Sequence, residues 1–63
     1  MKLITLGVYK TYDFEIEKDG QRYYAQCQED DVCDTWYISR AGEGDIGGTA
    51  EAEEIKEFCR ENM

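Results

Sequence analysis

Residues 12–27 read YDFEIEKDGQRYYAQC, two alternating arms around the pair Asp19-Gly20. Asp-Gly between alternating apolar runs is the signature of a two-residue type I′ hairpin, in which both central residues take positive φ. Closing the turn there sets Glu17 against Arg22, Ile16 against Tyr23, Phe14 against Ala25 and Tyr12 against Cys27. One face then carries Tyr12, Phe14, Ile16, Tyr23, Ala25 and Cys27, and the other Asp13, Glu15, Glu17, Arg22, Tyr24 and Gln26. A slip of one residue would turn every apolar side chain of one arm outward, so the register is strongly specified.

Toward the N-terminus the even-position alternation continues through Ile4, Leu6 and Val8, with Lys10 as the one polar intruder. A single strand over 4–16 would run roughly 40 Å, too long for so small a domain. The pattern predicts a break or bulge between Gly7 and Lys10. Residues 3–9 then form a separate edge strand, or an arm that pairs with a second copy.

Toward the C-terminus, Glu29-Asp30-Asp31-Val32 reads as the next turn. Centred on Asp30-Asp31, it sets Trp36 against Ala25, Ile38 against Tyr23, and Tyr24 against Tyr37, giving a third strand over about 33–40. The Gly-rich segment 41–48 reads as a flexible loop. Thr49 has the character of an N-cap, with Glu51 and Glu53 well placed in the first helical turn. Ala52, Ile55, Phe58 and Cys59 recur on one side of a helix over 50–62; Glu53, Glu54, Glu57 and Glu61 fall on the other. The predicted fold is α+β: one domain over 1–63, an antiparallel meander of three or four strands with one C-terminal helix packed on one face. That helix should cover Phe14, Ile16, Tyr23, Trp36 and Ile38.

Sixty-three residues leave no room for a second core. The apolar runs are too short to span a bilayer and none reads as a signal peptide, so the expectation is a soluble cytoplasmic chain. Fifteen acidic against seven basic residues give a formal charge of −8. Such a field disfavours direct binding to nucleic acid or to an anionic membrane, where affinity comes from Lys and Arg neutralising phosphates. It favours basic partners. Three cysteines, an odd number, read as reduced thiols: Cys27 and Cys59 buried, Cys33 beside the turn and exposed. A Cys27–Cys59 bridge is the alternative under oxidising conditions.

Three surfaces could carry function. The row Glu53, Glu57, Glu61, with Glu54 beside it, repeats like charge at i, i+4, which costs about 0.2–0.5 kcal/mol per pair. Lys56 and Arg60 recover part of that. Such a row imitates a phosphate backbone; otherwise it is a solvated face. Asp30 and Asp31, with Glu29 and Asp34, could gather a hard cation, but the EF-hand spacing is missing and a polar turn is the simpler reading. Tyr24 and Tyr37, rimmed by acids on the uncovered sheet face, have the composition of a protein-recognition surface, where Tyr is enriched. Otherwise they are a stabilising cross-strand pair.

Chemistry has little to stand on. The chain has no His, no nucleophile elbow and no phosphate-binding loop. The cysteines lack zinc-ligand spacing, and Asp45, Glu51 and Glu53 oppose an anion at Gly47-Gly48. No enzyme activity, metal or cofactor is expected.

A very small acidic domain with Asp/Glu runs at 29–34 and 51–61 resembles phage-encoded inhibitors of bacterial defence, such as anti-CRISPR proteins and other DNA mimics. The resemblance implies a non-enzymatic inhibitor acting in a host cytoplasm. Its partner would be a protein complex that binds nucleic acid, and Asp30, Asp31 and the helix carboxylates would contact the basic channel. Arg22, Arg40, Lys56 and Arg60 depart from a pure mimic. The alternative is a structural protein that oligomerises through its N-terminal strand.

Overall fold

The computed structural model of the chain describes residues 1–28 and 35–63. Five strands, β1 (Lys2–Tyr9), β2 (Thr11–Lys18), β3 (Gln21–Gln28), β4 (Trp36–Arg40) and β5 (Gly44–Asp45), precede one helix, α1 (Ala50–Glu61). All neighbouring strands are antiparallel and follow chain order across the sheet, so the chain is a five-stranded meander with a C-terminal helix. The α+β expectation holds.

The β2–β3 hairpin has the predicted register at every position. Asp19 (φ 52) and Gly20 (φ 78) both occupy the left-handed region that the tight turn demands. The predicted break falls at Lys10, whose positive φ of 63 reverses the chain and folds β1 back onto β2. A bulge also occurs, but between Leu3 and Thr5, not near Gly7. It lets Leu3 oppose Ile16 while Leu6 and Val8 oppose Phe14 and Tyr12.

Two expectations need correcting. In the β3–β4 pair Trp36 lies opposite Cys27 and Ile38 opposite Ala25, two residues away from the predicted alignment. A slip of two leaves every side chain on its own face, so the hydrophobic pattern could not choose between the registers. Packing chooses: bulky Ile38 sits against small Ala25, and Trp36 reaches diagonally to stack on Phe14 at 6.0 Å. The segment taken as a flexible loop contains β5, which pairs with Ser39 and Arg40. Gly42 and Gly44 supply the positive φ values that turn the chain back.

The helix begins where expected. The Thr49 hydroxyl accepts from the Ala52 N–H at 3.0 Å and donates to the Ile46 carbonyl at 2.8 Å. Ala52, Ile55 and Cys59 are buried against Phe14, Ile16, Tyr23, Ala25 and Ile38, with Trp36 and Phe58 partly buried at the margin. The helix packs on β3 and β4. Cys27 and Cys59 are both fully buried, as expected. The turn around Asp30-Asp31, the carboxylates at 29–34 and Cys33 lie outside the described residues.

Lys18 ties the helix to the hairpin. Its ammonium lies 3.1 Å from the Glu51 carboxylate and 3.8 Å from that of Glu54. This contact lowers the Glu51 pKa below 4.5 and raises that of Lys18 above 10.5, and a hydrogen bond from Tyr23 also lowers Glu51. The Glu51 contribution to stability is present above 4.5 and lost as pH falls through its lowered folded value. The Lys18 contribution is present below 10.5 and lost as pH rises through its raised value. K18M should therefore return the Glu51 titration most of the way to 4.5 in a carboxyl-detected NMR series. An unmoved Glu51 would show that Lys18 is not the cause.

Candidate functional site

Because α1 covers one side of the sheet only, the other side is open and its side chains form lateral rows. Thr5, Glu15, Tyr24, Ser39 and Asp45 make one row; Gly7, Asp13, Gln26 and Tyr37 make the next. Tyr24 and Tyr37 are thus diagonal neighbours and not the directly opposed pair that the predicted register placed there. They are 45 % and 57 % exposed. Tyr9 shares the face at the far edge of the sheet.

Asp13, Tyr24, Gln26, Tyr37, Ser39 and Asp45 line an open cleft of about 380 Å³ on this face. Its polar groups hold one another in place. Asp13 accepts from the Thr11 hydroxyl and from the Gln26 amide, both at 2.8 Å, and Asp45 accepts from the Gly47 N–H at 2.7 Å. Arg22 pairs with Glu15 at the end of the hairpin. Aromatic faces between two carboxylates suit a cationic side chain, through cation–π attraction and charge-assisted hydrogen bonds. Sequence reasoning named Tyr24 and Tyr37 but missed Asp13, Gln26, Ser39 and Asp45 as cleft walls. Strand alternation already set Asp13 and Gln26 on the outer face; Asp45 had no such signal, because β5 was read as loop.

The second surface is the outer side of α1. At 100° per residue, Glu53, Glu57, Glu61 and Glu54 fall within an arc of about 100°, centred opposite the stripe of Ala52, Ile55 and Cys59. All four are exposed. The helix cations stand beside this arc, not in it. Lys56 lies 2.8 Å from Glu53, and the Arg60 guanidinium lies 5.9 Å from the centre of the Trp36 ring, toward the sheet. The structure therefore brings the four glutamates together and places them on the opposite side of the molecule from Tyr24 and Tyr37. Asp30 and Asp31 lie outside the described residues.

Among the described residues no group of three or more Cys, Asp or Glu side chains is placed to hold a metal ion. No helix among them is long and apolar enough to cross a membrane. No family model, curated protein or solved structure matches the chain.

Proposed function

We propose that this chain is a non-enzymatic protein-binding module, an inhibitor that occupies a basic, nucleic-acid-binding surface of a partner by presenting carboxylates in place of phosphates. The observation that carries the reading is the carboxylate arc of α1, flanked by Lys56 on Glu53 and Lys18 on Glu54. Glu53, Glu54, Glu57 and Glu61 extend about 12 Å along a helix anchored by its buried stripe. Like charges at i, i+4 cost helix stability, so the arrangement works against the fold and suits a cationic partner. Away from the helix, Lys18 pairs with Glu51 and Glu54, Arg22 with Glu15 and Arg40 with Glu43, while Lys2 and Lys10 stand at the two ends of β1.

The test is capture of a nucleic-acid-handling complex from bacterial lysate on the immobilised chain, followed by competition with that complex's own DNA or RNA. Wild type should be released as salt rises past roughly 0.5 M, because exposed ion pairs are screened. The triple variant E53Q/E57Q/E61Q should bind about tenfold more weakly, each exposed charge contributing up to about 1 kcal/mol. Unchanged affinity in the triple variant would reject the reading. The cleft favours a second reading, in which Tyr24 and Tyr37 recognise the partner. It predicts retention at high salt and loss of binding in Y24A/Y37A.

A further inference from the structure

We infer that β1 is a self-association edge: two copies join antiparallel through residues 5–9 about a twofold axis at Gly7, making one continuous ten-stranded sheet. The inference is independent of the inhibitor reading.

Three observations converge on this edge. First, among the described residues β1 pairs with β2 alone, so along this eight-residue strand every second residue turns its N–H and C=O outward without a strand partner. The opposite edge, β5, is two residues long. A strand edge of this length is a ready template for another strand. Second, the helix sits over β3 and β4, so the apolar residues that β1 turns to the core side are left uncovered. Leu6 is 37 % and Val8 53 % exposed, although both stand in register with the core strand β2. Third, residues 1–12 contain Lys2 and Lys10 and no carboxylate, in a chain of net charge −8. Copies meeting at the outer side of α1 would set carboxylates against carboxylates; at β1 they would not.

The geometry also selects a register. The bulge at Ile4 and the turn at Lys10 bound a regular stretch, Thr5 to Tyr9. Centring the twofold on Gly7 uses that whole stretch. Leu6 then faces the second copy's Val8 and the reverse, an apolar cross-strand pair made twice on the core side. On the other side each Tyr9 faces the second copy's Thr5 and stands diagonal to its Gly7, where nothing lies within 4 Å of a Cβ position. An aromatic ring over a strand glycine covers backbone that would otherwise be wet. Tyr9, 79 % exposed in the single chain, acquires a contact there. The bulge and the two lysines block other registers, and β5 leaves no long edge for further growth, so the association closes at two.

Sedimentation equilibrium from about 10 µM to 1 mM at low and high salt tests this. The mass should rise from 7.3 kDa toward twice that value, and more readily at high salt, because salt screens the repulsion between two acidic chains. That is the opposite sign to the salt response of a basic partner complex. In L6K/V8K, two exposed substitutions, the dissociation constant should rise at least tenfold, with the far-UV spectrum unchanged. Amide exchange in the wild type should show protection of residues 5–9 that grows with concentration. A constant 7.3 kDa mass at both salts would overturn the inference. So would a dimer indifferent to L6K/V8K, or one without concentration-dependent protection in β1.

Discussion

Replacing Ile55 by Ala should leave a large fraction of the chain unfolded at 25 °C. Ile55 is fully buried at the middle of α1, on the stripe that faces Ile16, Tyr23 and Ile38. Removing its outer carbons forfeits their burial and leaves a cavity beneath α1, a change that costs about 2–5 kcal/mol. A core of this size supplies a net stability of only about 3–5 kcal/mol, so the truncation removes most of it or all of it. I55V, which retains the branched shape, should cost about 0.5–1.5 kcal/mol and remain folded, with Tm lower by about 4–8 °C for each kcal/mol lost. Thermal melts of the three proteins followed by far-UV circular dichroism check the ranking. An I55A chain melting within a few degrees of wild type would mean that the helix is not held by this stripe.

Much of this core was readable before any coordinates, for a definite reason. The 12–27 stretch carries two independent constraints, a turn that fixes alignment and an alternation that fixes facing, and they agree. The helix was equally legible, because its cap residue Thr49 and its apolar spacing mark the same start. Where only one constraint acts, the reading fails by what that constraint cannot see. Alternation set Trp36, Ile38, Tyr24 and Tyr37 on their correct faces but was blind to a slip of two, which only the fit of Ile38 to Ala25 and of Trp36 to Phe14 resolves. β5 has two residues and no period at all, so Asp45 could not be placed as a wall of the cleft. The glutamate arc was visible because 3.6 residues per turn holds for any α-helix, so the spacing of Glu53, Glu54, Glu57 and Glu61 alone sets them on one side. Its separation from the tyrosine face was legible too, because alternation gives the apolar face to the helix and sets Tyr24 and Tyr37 on the other.

The same core governs the chemistry of its thiols, and Cys59 should be nearly inert to iodoacetamide while the chain is folded. Burial pushes its pKa up to about 12 from an ordinary 9.0. At pH 8 about one thiol in ten is ionised when the pKa is 9.0, and about one in ten thousand at 12, so alkylation through the folded state slows by roughly a thousandfold. A competing route passes through unfolded molecules, in which Cys59 reacts freely. With a net stability of about 3–5 kcal/mol, the unfolded fraction lies between about 10⁻² and 10⁻⁴, so this route slows reaction by about a hundredfold to ten-thousandfold. The faster route sets the rate, and at the lower end of that stability range it is unfolding. At that end, alkylation of the Cys59 peptide, followed by mass spectrometry, measures global stability, and across the range I55A should accelerate it about a hundredfold or more. If Cys59 reacts in the wild-type chain as fast as in denaturant, the thiol is not enclosed between the helix and the sheet. If I55A loses its helical spectrum without gaining Cys59 reactivity, then the loss of the helix leaves the thiol covered, and the core must be held from the sheet side.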